Sequence, residues 1–153
     1  MALYLVQHGK SLPKDIDPDQ GLSEEGIAET KRIAEVAADY GINVSLIKHS
    51  VKTRAHKTAE IFASALKPAG SIVEIGGLKP LDDVIAFAAT IEPDENAMLI
   101  GHLPFMERMT SYLVTGSTDK PVFKFQNSGI VCLNKDPNSG SWVIVWTLMP
   151  KIG

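Results

Sequence analysis

The sequence predicts an α/β fold: a single three-layer α/β/α domain over residues 1–153, with a mainly parallel central sheet, helices on both faces and a C-terminal antiparallel hairpin. Two observations support this prediction. Short apolar runs typical of buried strands alternate with longer segments of helical periodicity, which is the pattern of repeated strand–helix units. Near its end the chain instead has two β-like runs joined by a Pro-Asn-Ser-Gly turn, which predicts a hairpin near one edge of the sheet.

The first strand and the first helix are clearly marked. The run "ALYLVQ" (2–7) predicts a buried strand, and "DIDPDQG" is a polar loop. Ser23 is placed to cap the helix that follows, and Glu24 and Glu25 suit the positive end of its dipole. Gly41 is expected to end this helix. Its predicted apolar face has the spacing i, i+3, i+4 and i+7 and consists of Ile33, Val36, Ala37 and Tyr40.

The alternation continues through the middle of the chain. We expect strands in "INVSLIKHS", "SIVEI" and "AMLIGH", with "GGLKP" as a turn after the second of them. The intervening helices are predicted over residues 52–66 and 82–91, and the last helix in "LPFMERMTSYLV", where Pro104 is tolerated in the first turn. One side of the 52–66 helix is expected to carry Ala55, Ala59, Phe62 and Leu66.

The hairpin contains the single cysteine and both tryptophans. Cys132 lies in the apolar run "GIVCLN" and is interpreted as a buried strand residue rather than a nucleophile, since no activating neighbour is visible. One thiol cannot form an internal disulfide, so a reducing cytoplasm is the expected compartment. Trp142 and Trp146 alternate on the last strand and indicate sheet packing, not a platform for stacking bases.

Composition excludes several classes of function. The chain has 15 basic and 18 acidic residues and a net charge of −3, so it lacks the electrostatic footprint of a nucleic-acid-binding protein. No apolar run has membrane-spanning length, and the N-terminus does not resemble a secretory signal. We therefore expect no nucleic-acid partner, no membrane association, and a monomer or weak oligomer.

Conspicuous polar residues follow three of the predicted strands. Gln7, His8 and Gly9 follow the first strand, Arg54 follows the second, and His102 follows the fourth. Because ligands bind beyond the carboxyl ends of strands in open α/β sheets, we expect two imidazoles and one guanidinium to meet there. Such a set suits an anion, since guanidinium and imidazole N–H groups both donate to anionic oxygens.

Four segments in order, "LVQHGKS", "GLSEEG", "HSVKTRAHKTAE" and "MLIGHLPFM", resemble the motifs of the histidine phosphatase superfamily, also called the phosphoglycerate-mutase-like family. The small size and the "GHLP" segment are most similar to its phosphohistidine phosphatase branch, the SixA-like proteins. The resemblance implies that His8 is a nucleophile that becomes phosphorylated, and that Arg54 and His102 hold the phosphoryl oxygens. It also implies a phosphoprotein or a small phosphate ester as substrate. We expect neither a metal nor a cofactor, since Arg54 would repel a cation at the same centre.

The first motif departs from the family pattern. Gln7 stands where the family has a phosphate-binding arginine, so weaker phosphate affinity or slower turnover is expected, because a neutral donor makes a weaker bond than a charged one. Gly9 would let backbone N–H and substrate approach closely. Ser11 would reach a phosphate oxygen or cap the loop. Lys10 would either replace part of the missing charge or remain a solvated loop lysine.

Many relatives protonate an alcohol leaving group with a carboxylate before an "L-x-P" turn. In "IGGLKPLDD", Gly77 occupies that place, which favours a substrate with an N–P bond; Asp82 or Asp83 would be the remaining candidates for the acid. The expected function is hydrolysis of phosphohistidine on a protein partner. The alternatives are a non-catalytic or weakly active phosphate-binding module, which Gln7 favours, and a phosphatase for small phosphomonoesters.

Two further patterns are interpreted as structural. His49 and His56 are expected to be peripheral, with a surface role favoured over a place at the pocket mouth, and none of the histidines forms a close metal-binding pair. The acidic residues of "DIDPDQG" resemble a calcium loop only superficially, because Gly26 stands where the bidentate glutamate is required.

Overall fold

The computed structural model describes residues 1–152. Its strands are β1 (Ala2–Gln7), β2 (Leu46–His49), β3 (Ile72–Glu74), β4 (Ala97–Gly101), β5 (Ile130–Lys135) and β6 (Trp142–Leu148). Its α-helices are α1 (Glu24–Asp39), α2 (Thr53–Leu66), α3 (Val84–Ala88) and α4 (Phe105–Thr115), and a short 3-10 turn spans Pro93–Glu95. The six strands form one sheet in the order β3-β2-β4-β1-β5-β6.

Strand direction agrees with the predicted architecture. Strands β3, β2, β4 and β1 are mutually parallel. β5 runs antiparallel to β1, and β6 runs antiparallel to β5 at the edge of the sheet. The mainly parallel sheet with a C-terminal hairpin is therefore confirmed.

Helices cover both faces of the sheet. Alternate side chains of β1 point to opposite faces, and each set packs against a different pair of helices. Tyr4 and Val6 pack in one cluster with Ile33 of α1 and Phe62 of α2. The other cluster joins β1 to α3 and α4 through residues that include Leu3, Leu5, Val84, Phe105 and Met109. The fold is thus a three-layer α/β/α arrangement with one core on each face.

Two predicted details are wrong. Tyr40 is 79% exposed, because α1 ends at Asp39 and Tyr40 lies beyond the last turn, next to a left-handed Gly41. The helix expected over 82–91 is α3 alone, five residues long, because the Asp83 side chain caps its start and the chain leaves the helix after Ala88.

The cap on α1 is confirmed, since the backbone N–H of Gly26 donates to Ser23 Oγ at 3.0 Å.

The hairpin packs its two tryptophans against different faces of the sheet, with Trp142 buried and Trp146 partly buried. Cys132 pairs with Trp146, but the next residue of β5, Leu133, pairs with Ile144, so β6 has one extra residue at this point. This bulge reverses the face of the sheet to which the side chains of β6 point on either side of it. Trp142 therefore packs with the α3–α4 core and Trp146 with the α1–α2 core, where it contacts Tyr4. Both serve sheet packing, as predicted.

Cys132 is a buried strand residue. It is 3% exposed, and burial raises the pKa of its thiol to about 11. The thiol is therefore protonated at neutral pH and is not a nucleophile.

The carboxyl ends of three parallel strands lie side by side. Gln7 of β1 is in register with Gly101 of β4, and His49 of β2 is in register with Ile100. Loops leave this edge after each strand, which brings residues distant in sequence together. Among residues 1–152, none of the helices is both long enough and apolar enough to cross a membrane.

Candidate active site

His8 extends β1 beyond its last residue. Its backbone N–H donates to the carbonyl of Gly101 at 3.0 Å, which fixes His8 beside the end of β4. Its ring Nδ1 lies 2.7 Å from the Gly9 carbonyl oxygen and must donate to it, because a carbonyl only accepts. Burial lowers the pKa of His8 to about 4, against the opposing effect of the Gly9 bond. The neutral ring therefore carries its lone pair on Nε2 at neutral pH.

Arg54 lies beside that lone pair. It is in the first turn of α2, and its Nε donates to His8 Nε2 at 3.3 Å. Thr58, one turn later, anchors this part of the helix: its hydroxyl donates to the Arg54 carbonyl at 2.8 Å and accepts from the Gly9 N–H at 2.9 Å. The start of α2 is thus joined directly to the loop after β1.

His102 directly follows β4 and is 1% exposed. Its ring centroid lies 4.9 Å from that of His8 at an interplanar angle of 59°. Nε2 is 2.8 Å from the Ser50 hydroxyl, while Nδ1 is buried without a hydrogen-bond partner. Burial, together with His8, Arg54 and Lys52, lowers the pKa of His102 to about 3, so this ring is also neutral.

Gln7 brings an uncharged amide to the same edge of the sheet. Its backbone pairs with Gly101 of β4, and its carbonyl accepts from the Ser128 N–H at 2.8 Å. Its side-chain Oε1 is buried without a partner. Within residues 1–152, the buried side-chain polar atoms that lack partners are this oxygen and His102 Nδ1. Buried polar groups are normally hydrogen-bonded, so these two atoms at one end of the parallel strands are exceptions.

Gly9 does not offer its N–H to a ligand, in contrast to the role expected for it. That N–H donates to Thr58 Oγ1. A Cβ on Gly9 would lie 2.7 Å from Thr30 Oγ1 and 3.2 Å from Ser128 Oγ. Close packing in the protein interior therefore favours glycine at this position.

The loop residues Ser11 and Lys10 make other contacts. Ser11 forms an isolated backbone bridge with Leu22 at the base of the loop, and among the described residues no hydrogen bond joins its hydroxyl to His8, Arg54 or His102. Lys10 is exposed and its ammonium group pairs with Glu25 at 2.7 Å. Lys10 is therefore a solvated loop lysine and does not replace the missing arginine.

The possible general acids are engaged in local structure. Gly77 adopts a φ of +90° and has no side chain to offer. Asp82 accepts from the Lys79 N–H at 2.9 Å, and Asp83 accepts from the Ala86 N–H at 3.0 Å. Both carboxylates thus stabilise the turn that leads into α3.

The surface role expected for His49 is wrong. His49 is 2% exposed, because β2 is an interior strand covered by α2. Its Nδ1 donates to the Ser50 carbonyl at 2.8 Å, and its Nε2 lies 3.2 Å from His56 Nδ1. His56 is partly exposed, as expected for a peripheral residue, and its Nε2 lies 3.2 Å from Glu60.

Three supporting residues were not identified from the sequence: Ser50, Thr58 and Asn127. Asn127 donates from Nδ2 to the His8 carbonyl at 2.8 Å across a sequence separation of 119 residues. No local pattern marks that contact. Thr58 did carry a signal, since it lies one helical turn after Arg54 and so faces the same side of α2.

The combined geometry favours a tetrahedral oxyanion. It places an unprotonated imidazole nitrogen, a guanidinium, a second neutral imidazole and a primary amide at one edge of the sheet. A neutral imidazole is a nucleophile for phosphorus, and a guanidinium stabilises the charge on phosphoryl oxygens.

Comparisons with known proteins identify the fold and the family of the chain. A solved structure of the protein histidine phosphatase SixA complexed with tungstate superposes with a TM-score of 0.83 at 24% identity, covering 98% of this chain and 97% of that one. A candidate phosphohistidine phosphatase SixA from Agrobacterium tumefaciens gives a TM-score of 0.77 at 26% identity, covering 97% of both chains. An uncharacterised protein of Picosynechococcus sp. is 30% identical over 142 residues, which are 87% of this chain and 84% of that protein. Residues 3–84 match the family described as histidine phosphatase superfamily, branch 1, and the chain belongs to this superfamily.

Proposed function

We propose that this protein is a phosphatase that hydrolyses phosphohistidine on a partner protein, through a covalent phosphohistidine intermediate on His8. One observation supports the proposal above all: the bond from His8 Nδ1 to the Gly9 carbonyl leaves Nε2 unprotonated, 3.3 Å from the Arg54 guanidinium and beside the ring of His102. A ring held in one tautomer and one direction is prepared for in-line attack on phosphorus.

In the first step the Nε2 lone pair of His8 attacks the phosphorus atom of the substrate. The N–P bond to the substrate imidazole breaks, and that ring, protonated beforehand by solvent on its other nitrogen, leaves as neutral imidazole. In the second step water attacks the phosphorus, the N–P bond to His8 breaks, and the proton lost by water passes to the phosphate or to solvent. His8 regains its lone pair, so one slow hydrolysis becomes two faster transfers.

The other groups bind the transferring phosphoryl oxygens. Arg54 exchanges its contact with His8 Nε2 for one with an anionic oxygen once a phosphoryl group is present. His102 Nδ1, which is buried without a hydrogen-bond partner, and the N–H groups of the Gln7 amide provide further polar contacts. Because phosphoryl transfer depends on positioning and charge stabilisation, this set accounts for the catalysis that the reaction needs.

The leaving group is assigned to nitrogen rather than to an alcohol oxygen. An alkoxide needs an acid to protonate it, and Asp82 and Asp83 are engaged as turn and cap acceptors. The imidazole of phosphohistidine takes up a proton itself. The Agrobacterium tumefaciens relative, described as a phosphohistidine phosphatase, supports the same substrate class.

A phosphate-binding module without turnover is the second candidate. It is favoured by Gln7, since the amide supplies no positive charge where the family has arginine. Binding alone, however, does not require a neutral imidazole held with its lone pair beside a guanidinium.

The test is to incubate the protein with a phosphohistidine peptide and with a phosphoserine peptide, side by side. We expect phosphate release from the first substrate, together with acid-labile phosphate trapped on the protein in a rapid acid-free quench. His8→Ala should abolish both, and Arg54→Lys should slow release by roughly ten- to a hundredfold through loss of the guanidinium fork.

Arg108→Lys is the matched control for Arg54→Lys, because Arg108 lies on α4 and donates to Thr118. It should leave the rate unchanged. Binding of the phosphohistidine peptide without phosphate release would establish the binding module, and faster release from the phosphoserine peptide would establish a phosphomonoesterase.

A further inference from the structure

Ser50 joins the buried histidine His49 to the active-site histidine His102. It is 1% exposed and follows β2, where its N–H donates to the Ile100 carbonyl at 3.0 Å. Its carbonyl accepts from His49 Nδ1 at 2.8 Å, and its hydroxyl lies 2.8 Å from His102 Nε2. One residue therefore contacts two imidazoles from opposite sides.

Counting protons assigns the direction of the Ser50–His102 hydrogen bond. A serine hydroxyl has one proton to donate and two lone pairs. Two groups reach Ser50 Oγ: the Lys52 N–H at 3.5 Å, which can only donate, and His102 Nε2. Among the described residues His102 Nε2 is therefore the one hydrogen-bond partner that can accept the proton of this buried hydroxyl, which favours a lone pair on Nε2. The remaining ring proton of neutral His102 is on Nδ1, the buried atom that lacks a partner.

We propose that Ser50 and His49 are positioning residues of this site: the Ser50 hydroxyl fixes His102 in the Nδ1–H tautomer that donates to a phosphoryl oxygen, and His49 holds Ser50 in place from the interior. The use of that proton rests on the proposed function, whereas the tautomer does not. The opposite tautomer would present a lone pair to the anion and repel it.

His49 is well suited to hold Ser50. It repeats the arrangement of His8, in which Nδ1 donates to the carbonyl of the next residue. With its proton on Nδ1, a neutral His49 has an acceptor at Nε2, which lies 3.2 Å from His56 Nδ1.

Nitrogen-15 NMR of histidine-labelled protein tests the tautomer without any substrate. The sequence has four histidines, so single substitutions assign every ring. We expect His102 to show a protonated Nδ1 and an unprotonated Nε2 at pH 7, and Ser50→Ala to give a mixture of tautomers. Ser111→Ala is the matched control, because this buried serine donates to the Glu107 carbonyl within α4. A wild-type His102 protonated on Nε2 would overturn the proposal.

Affinity for inorganic phosphate tests the consequence. Loss of one oriented donor to an anion should weaken phosphate binding by roughly ten- to a hundredfold in Ser50→Ala. His49→Leu should also weaken it, and His49→Asn should restore much of the loss, since an Asn amide can donate from the position of Nδ1. Ser50→Ala protein that keeps both the wild-type tautomer and the wild-type phosphate affinity would refute the role of Ser50.

These readouts separate the two proposals. If wild-type protein binds phosphate but releases none from phosphohistidine, the proposed hydrolysis fails, and the His102 tautomer is still decided by NMR. If wild-type protein is an active phosphatase and Ser50→Ala matches it in turnover, tautomer and phosphate affinity, only the positioning role fails.

Discussion

Arg54 Nε lies 3.3 Å from His8 Nε2, the ring nitrogen that the Gly9 carbonyl leaves without a proton. The cation thus lies beside the lone pair of this imidazole nitrogen. This contact opposes protonation of His8, because a positive charge beside the ring disfavours a second one. The same guanidinium is in place to receive the negative charge of an incoming phosphoryl oxygen.

Protonation of the two histidines of this site should require a pH well below 6.5. Burial lowers the pKa of His8 to about 4 and that of His102 to about 3, below the ordinary 6.5 of histidine. We expect NMR titration of His8 in the free protein to show a midpoint near pH 4. A midpoint near 6.5 would contradict the buried, neutral nucleophile.

The same shifts predict how stability depends on pH. Since both folded-state pKa values are depressed, the unfolded chain binds more protons between about pH 6.5 and 4 at His8 and between about pH 6.5 and 3 at His102. The contribution of these histidines to the free energy of unfolding is therefore present above pH 6.5 and is lost as the pH falls through these windows. Urea unfolding at pH 7, 5.5 and 4.5 measures this, and a His8→Asn, His102→Asn double variant should show a shallower dependence.

Restoring the family's arginine should strengthen phosphate binding. Gln7 contributes a neutral amide whose Oε1 is buried without a partner. Gln7→Arg should lower the dissociation constant for inorganic phosphate by roughly tenfold, because a charged donor binds an anion more strongly than a neutral one. Isothermal titration calorimetry at fixed ionic strength measures the change.

Asn138→Arg adds the same charge in the β5–β6 turn. That turn lies near the amino-terminal end of β1, at the other end of the strands from the site, since β5 runs antiparallel to β1. This variant should leave phosphate affinity unchanged. Equal affinities for Gln7→Arg and the parent protein would place the Gln7 side chain outside the phosphate site.

Gly9→Ala should destabilise the fold, because the new Cβ would lie 2.7 Å from Thr30 Oγ1 and 3.1 Å from Leu22. Overpacking of this kind costs about 1–3 kcal/mol in the free energy of unfolding. Gly76→Ala is the matched control, since nothing lies within 4 Å of its Cβ position. Urea unfolding should show a clear loss for the first variant only, and a Thr30→Ala substitution should restore part of it. Equal stabilities would mean that Gly9 does not meet these neighbours.

The meeting of His8, Arg54 and His102 could be predicted because parallel strands present their carboxyl ends at one edge of a sheet. Each residue follows such a strand within a few positions, so the strand pattern alone brings the three together. The same logic explains why β1 and the hairpin were recognised, since both have strong apolar periodicity and clear boundaries.

Contacts that depend on how deeply a side chain is buried could not be predicted from the strand pattern. The pattern that marks His49 as polar gives no sign that α2 covers it, and nothing local connects Asn127 to His8. The packing around Gly9 could not be predicted for the same reason, because no local pattern shows that Thr30 and Ser128 lie against it.

The assignment of an N–P substrate depends on Asp82 and Asp83 being structural rather than catalytic. Asp83 Oδ1 accepts from the Ala86 N–H at 3.0 Å, and Asp82 Oδ2 accepts from the Lys79 N–H at 2.9 Å. Asparagine keeps an acceptor oxygen at each position but cannot act as an acid. We therefore expect Asp82→Asn and Asp83→Asn to retain both the unfolding midpoint and kcat/KM for a phosphohistidine peptide. Removing a general acid would cost about 10²- to 10⁴-fold instead. A loss of that size, confined to a phosphoserine peptide in either variant, would identify the acid that an alcohol leaving group requires and would move the substrate class from phosphohistidine to phosphate esters.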